Sequence, residues 1–436
     1  MAINITKGFI HTLFSRVLLL AISVFSSVIV VRALGVESYG IYSYVTLVIG
    51  LATILSNLRL GPTNAYFVSS GEGNISELFP LTFYSALGIG LIAAPIVMWI
   101  FLINSKVSEN IAIITIVLAA CGIVFQLMRE YMFGFVRGLG WFGKLGVVKF
   151  AGAGVRLLMV IILIGFAGKL SLNGLVIIDF LSILLMLLLV FIILPKINLG
   201  ATFNLELAKK VYVYGGWTFV YMMVLALNGK VDQMLVAYFL NIESLGIYSL
   251  AVKFSLLIWP IIESVQIVLL PKIASIDDKT YQLKMVCEIF NVLFNLLIIG
   301  YLVSIFLLPY IFILLYGAEF KDGVQPLMIL VGGSFIYSLH KVLATYYVAI
   351  GEVRMVSNYS IAIFILNIVL STVLIQMYGM AGAASATAIS YLLATMWMLK
   401  RFAKENVVSM KSLFVPSKST MMLVANRLRS NLGFRK

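Results

Sequence analysis

At 436 residues, 62% of them hydrophobic and only 11% charged, the chain lies far outside the composition of soluble domains, which carry about 25% charged residues. The net charge of +14 invites a nucleic-acid reading. However, the cations flank apolar runs or crowd the stretch from Lys400 to Lys436, so no nucleic-acid partner is expected. Two cysteines, Cys121 and Cys287, both inside apolar runs, leave no disulfide framework and no CxxC metal site.

In lipid every backbone polar group needs an internal partner, which restricts the chain to helices or a closed barrel. The apolar runs here are continuous instead of alternating, and a crossing helix needs about 20 such residues. The expected fold class is therefore all-α, a polytopic integral membrane protein. In chain order the spans fall at about 10–33, 40–57 (with a possible continuation to 69), 78–103, 110–130, 147–167, 172–194, 212–239, 246–270, 285–308, 325–349, 358–377 and 381–399, twelve in all. The opening MAINITKGFIHTLFSRVLLL lacks the short apolar core and small-residue cleavage site of a signal peptide and reads as the start of an uncleaved first helix. Polar and turn residues separate the spans, as at Gly71 to Asn74, Gly138 to Lys144, Gly317 to Gly323 and Gly351 to Arg354. No connection is long enough for an extramembrane domain.

With the N-terminus inside, the cytoplasmic loops and tails hold 21 Lys/Arg and the external side four: Arg32, Lys106, Lys169 and Lys321. Without the nine tail cations the ratio is still 12 to 4, which places both termini in the cytoplasm.

Residues 35–43 read GVESYGIYS and residues 241–249 read NIESLGIYS, identical at six of nine positions and offset by 206. Each copy follows one long apolar run and opens the next. Six spans restore the original orientation, so the halves are read as two parallel six-helix repeats related about the membrane normal. Asn173-Gly174 and Ala381-Gly382, offset by 208, give a second anchor. The expected divisions are residues 1–200 and 201–402 for the two six-helix bundles and 403–436 for a basic cytoplasmic tail. The register also extends the seventh helix to about Phe239, which carries Asn228, Lys230 and Asp232 into the membrane. Within the echo, Ser38 and Ser244 are expected to cap helices, with Glu37 and Glu243 at the positive helix ends. Gly40 and Gly246 would permit close helix approach.

A charge at a helix centre costs about 2.5–3.5 kcal/mol on insertion scales and normally faces protein or water. The cationic set within spans is Arg16, Lys149, Arg156, Lys230, Lys253 and Lys341; the anionic set is Asp179, Asp232, Glu263 and Glu288. One reading is a water-filled cavity with a positive lining for a polyanionic head group, since arginine's planar fork suits phosphate. The competing reading is salt bridges between helices. Asp232 is a candidate ion-coupling group, sharing a helical face with Asn228 four residues away, or else a packing hydrogen bond. Trp259, Glu263 and Gln266 share a face of the eighth helix that would suit contact with sugar. His11 and His340 are the only histidines, without HExxH, GxSxG or P-loop patterns, so neither catalysis nor a metal is expected.

Four stretches, RALGVESYGIYSYV (32–45), DQMLVAYFLNIESLGIYSLA (232–251), LLYGAEFKDGVQPLMIL (314–330) and YGMAGAASATAISYLL (378–393), carry a resemblance to a known family. The chain resembles the polysaccharide-transporter (Wzx-type O-antigen flippase) branch of the multidrug/oligosaccharidyl-lipid/polysaccharide exporter superfamily. The resemblance implies two six-helix bundles forming a V and alternating access in the bacterial inner membrane. It implies a substrate, undecaprenyl-diphosphate-linked oligosaccharide, moved from the cytoplasmic to the periplasmic leaflet, with other polysaccharide assembly proteins as partners. It also implies cationic residues for the diphosphate. Arg16, Arg156 and Lys253 match best by position, with Lys341, Lys149 and Arg59 as further substrate-binding candidates. Asp232, Asn228, Asp179 and Glu263 are the ion-coupling candidates. No cofactor is expected beyond a coupling H+ or Na+, because no nucleotide-binding motif occurs.

The alternatives are a cation-coupled multidrug exporter of the same superfamily and a membrane polysaccharide polymerase or ligase. Excess intramembrane cations favour an anionic lipid over cationic drugs. The enzymes typically carry a large periplasmic loop that this chain lacks, so a transporter and not an enzyme is expected.

Overall fold

The computed structural model describes residues 5–195, 205–409 and 413–414, without the side chains of residues 5–17, 217, 218, 220, 221 and 225. Every regular element among these residues is helical. The order is α1 (Ile5–Ser56), α2 (Leu60–Ser70), α3 (Ile75–Ile103), α4 (Ser105–Asn110), α5 (Ile113–Gly138), α6 (Phe142–Ala167), α7 (Leu172–Ile193), α8 (Leu205–Asn228), α9 (Val231–Phe239), α10 (Ile242–Ser255), α11 (Trp259–Ala274), α12 (Lys279–Tyr316), α13 (Val324–Ala349) and α14 (Val353–Asn406). Short 3-10 turns at Leu256–Ile258 and Ala318–Gly323 join α10 to α11 and α12 to α13.

Among the described residues, nine helical stretches are long and apolar enough to cross a membrane. Two of these stretches are bent into pairs. Gly35 (φ 72°, ψ −179°) divides α1 and Gly379 (φ 60°, ψ −137°) divides α14. With α8 followed by α9, all twelve predicted spans are helical. The seventh differs from expectation in one respect. It stops at Asn228 and restarts at Val231, because Lys230 takes φ −133°, ψ −19°.

The chain forms two compact units, one of Met1–Ser249 with Leu315–Phe320 and one of Leu250–Leu314 with Lys321–Lys436. In the first, α5 packs against α2, α3 and α7. Its buried side chains Ile116, Ile123, Leu127 and Tyr131 are each at most 1% exposed, and they recur at helical spacing along one stripe. Lipid tails are as apolar as leucine, so packing here depends on close contact and not on escape from water. The two copies of the echo supply such a contact. A Cβ on Gly40 would lie 2.6 Å from the Ile242 carbonyl oxygen, and one on Gly246 would lie 2.8 Å from Gly40 Cα. The repeat-related segments thus pack on each other through their shared glycine.

The capping expectation is corrected. The Ser244 N–H donates to the Asn241 side chain at 2.7 Å, because the helix begins at Ile242 and Ser244 already sits in its first turn. Asn241 is the cap. Glu243 lies in the first helical turn as expected and also holds Lys106 at 2.9 Å. That hydrogen bond raises the Lys106 ammonium above the ordinary lysine range, with Glu37 adding to the effect. Both partners of the pair are about half exposed, so solvent screens most of its worth.

In the second unit α13 packs along α14 and against α11. Val342 and Leu343 of α13 and Ala383, Ala384 and Ala386 of α14 are fully buried. Leu413 joins this core, and its carbonyl accepts the Asn291 side-chain amide at 3.1 Å.

Candidate functional site

Four helical segments of the first unit bring their polar side chains to one point. Arg156 of α6 donates through Nε to Asp179 Oδ1 of α7 at 2.5 Å. Its Nη1 donates to Ser26 Oγ at 2.6 Å, and its Nη2 to the Tyr42 hydroxyl at 3.0 Å. The Tyr42 hydroxyl in turn donates to Asp179 Oδ2 at 2.7 Å. Ser26 and Tyr42 lie on opposite sides of the Gly35 bend in α1, so that bend folds both onto one guanidinium. The Arg156 and Asp179 side chains are 23% and 27% exposed. A pair this far out of water survives because each charged edge finds hydrogen-bond partners.

The same design recurs one repeat later. Tyr248 occupies the position of Tyr42, and its hydroxyl donates to Asp232 Oδ2 at 2.8 Å. Asp232 Oδ1 accepts the Gln233 backbone N–H, also at 2.8 Å. Shifted by the 206-residue offset, Asp232 itself occupies the position of Ser26. Each copy therefore sets its tyrosine against a carboxylate, supplied by α7 in one case and α9 in the other.

Asp232 and Asn228 are 4% and 6% exposed. The interruption at Gly229–Lys230 separates them onto different helices, so the continuous face expected from their spacing does not exist. Asn228 Oδ1 is buried without a hydrogen-bond partner.

The other expected residues are dispersed. Arg59 is the N-cap residue of α2 in the left-handed region (φ 59°), and its Nε and that of Arg137 are buried without hydrogen-bond partners. Lys149 is exposed, 5.5 Å from the Phe133 ring. Lys253 is exposed in the last turn of α10. Lys341 lies over the Trp259 ring, and Glu263 is half-buried one turn beyond that tryptophan. The side chain of Arg16 lies outside the described residues. Among the described residues no group of three His, Cys, Asp or Glu is arranged to hold a metal ion.

Sequence reasoning assigned Arg156 to substrate and Asp179 to ion coupling; the structure places them in one network. It missed Ser26, Tyr42 and Tyr248. The signal was present, since Tyr42 and Tyr248 are among the six identities of the echo.

This arrangement offers a guanidinium held by one carboxylate oxygen, and arginine's planar fork also suits the oxygens of a phosphate. The family described as "Polysaccharide biosynthesis protein" matches residues 29–325. A probable low-salt glycan biosynthesis flippase, Agl15 of Haloferax volcanii, is 24% identical over 201 residues. That match covers 45% of this chain and 41% of the relative, so the chain spans about two fifths of that relative's length. Among solved structures, lipid II flippase MurJ in an inward closed conformation superposes with a TM-score of 0.71 at 18% identity, covering 96% of this chain and 98% of MurJ. An inward-facing multidrug resistance MATE family transporter of the MOP superfamily also gives 0.71, at 14% identity, covering 89% of this chain and 96% of the other. These likenesses establish the fold.

Proposed function

The chain belongs to the polysaccharide biosynthesis protein family, and from that premise we propose that it is a flippase for lipid-linked oligosaccharide. The substrate is an undecaprenyl-diphosphate-linked repeat unit carried from the cytoplasmic to the periplasmic leaflet of a bacterial inner membrane. The observation that carries this reading is the Arg156 network: a guanidinium set among helices, held by Asp179, Tyr42 and Ser26. A diphosphate competes with Asp179 for the guanidinium, and a proton or Na+ taken up by the released carboxylate offsets the exchange. Substrate entry and ion uptake are then linked events at one site, as ion-coupled alternating access requires. Asp232, held by Tyr248, is the second carboxylate available to a coupling ion.

The multidrug-exporter reading rests on the fold shared with the MATE transporter. A cationic drug would meet Arg156 as a like charge, which favours the anionic lipid. Deletion of the gene followed by lipid analysis tests the choice. Undecaprenyl-linked repeat units accumulating on the cytoplasmic face are the expected result; unchanged lipid-linked intermediates would overturn it.

A further inference from the structure

The second unit carries a polar seam separate from the Arg156 network. Trp259, Glu263 and Gln266 recur along α11, and Tyr337, Lys341 and Thr345 recur along α13, at spacings that place each set on one helical face. The two faces meet. Gln266 Nε2 donates to the Thr345 hydroxyl at 2.9 Å and to the Lys341 carbonyl at 3.2 Å. Lys341 Nζ lies 3.5 Å from the centroid of the Trp259 ring, and the Tyr337 ring lies 5.9 Å from that indole. Trp259, Glu263, Gln266 and Lys341 are all half-buried.

Helix packing does not call for this set. The Trp259 indole N–H is buried without a hydrogen-bond partner, which is unfavourable for a donor taken out of water. Buried tryptophans usually find a partner for that N–H. Lys341 rests on an aromatic face, a cation–π contact that a ligand can displace. Together the seam offers a flat aromatic surface, an unused N–H donor, a carboxamide, a carboxylate and an ammonium. A sugar ring presents the complement: an apolar C–H face for the indole and hydroxyls that both donate and accept.

We propose that this seam is a carbohydrate subsite that holds a sugar ring of the lipid-linked oligosaccharide, which rests on the flippase reading above. The sugar stacks on Trp259 in place of Lys341, whose ammonium turns to a hydroxyl or an acidic substituent. The indole N–H and Gln266 fix the ring's orientation. The seam thereby senses the saccharide, whereas Arg156 senses the diphosphate.

The test uses the full-length protein in nanodiscs and two probes, undecaprenyl diphosphate and undecaprenyl-diphosphate N-acetylglucosamine, with affinity read by microscale thermophoresis. Trp259→Ala and Gln266→Leu are each expected to weaken binding of the glycosylated probe by about tenfold and to leave the bare diphosphate lipid within about twofold. Trp259→Phe, which keeps an aromatic face without the N–H, should fall between. Equal weakening of both probes, or of neither, would overturn the proposal; the latter is the result if only water meets the indole. Should Trp259→Ala fail to fold, as judged by thermal unfolding, Trp259→Phe and Gln266→Leu carry the comparison. Wild-type protein that binds neither probe would overturn the flippase reading along with this one.

Discussion

Arg156 makes three side-chain hydrogen bonds, to Asp179, Tyr42 and Ser26, and a residue so engaged can be purely structural. Paired substitution separates the roles. Removing one partner of a buried pair leaves the other charge uncompensated and costs about 3–5 kcal/mol, whereas replacing both by apolar residues of similar volume is often nearly neutral. Arg156→Met and Asp179→Leu should each lower the unfolding midpoint, and the double variant should recover most of that loss. If Arg156 contacts the diphosphate, the recovered double variant still fails to export lipid-linked oligosaccharide. Export restored together with stability would make the pair a brace and nothing more. These charges were legible in the sequence because an ionisable residue inside an apolar run is conspicuous. Their pairing was not, since Asp179 is 23 residues from Arg156 and only the packing of α6 on α7 joins them. Tyr42 was hidden for a different reason: tyrosine is common in membrane helices, and nothing in its type distinguishes a ligand to two charges from an interfacial ring.

At the scale of elements, the echo states its function in its glycines. Gly40 and Gly246 meet backbone, not flexible side-chain ends, so no rotamer change relieves an added methyl. Gly40→Ala or Gly246→Ala is expected to cost about 1–3 kcal/mol, the range for overpacking. Gly50→Ala, on the same α1 helix with nothing within 4 Å of the added carbon, serves as control and should be neutral or slightly stabilising. Thermal unfolding of the three variants in one detergent measures the contrast. Equal midpoints would mean that the two segments separate without cost. Hydrophobic run length located the helices, and the repeat supplied their register. The break at Gly229–Lys230 escaped because the first-half counterpart continues unbroken to Gly35, so the alignment argued for continuity where the second copy departs from it. Asn241 escaped as a cap because its counterpart is Gly35, which has no side chain to serve that role.

The whole molecule must be oriented for a flippase to load from the cytoplasmic leaflet, and charge asymmetry is the property that sets orientation. On the twelve-span topology and excluding the tail, 12 loop cations fall on one side and four on the other, a bias expected to retain the larger set in the cytoplasm during insertion. This bias predicts which ends of the helices face which compartment. The α4 segment, with Lys106 held by Glu243, is expected outside, and the α11–α12 connection with Lys279 inside. Single cysteines report the arrangement, introduced by Ser108→Cys and Asp278→Cys after Cys121 and Cys287 are replaced by alanine. Asp278 is exposed and Ser108 is half-buried. A membrane-impermeant maleimide applied to intact spheroplasts should label the Ser108→Cys variant and leave the Asp278→Cys variant unlabelled until the membrane is opened. The reverse pattern would invert the transporter, and the lipid-linked oligosaccharide would then have to enter from the periplasmic face. Labelling of both sites before the membrane is opened would place the two connections on one side, which the odd number of spans between them forbids.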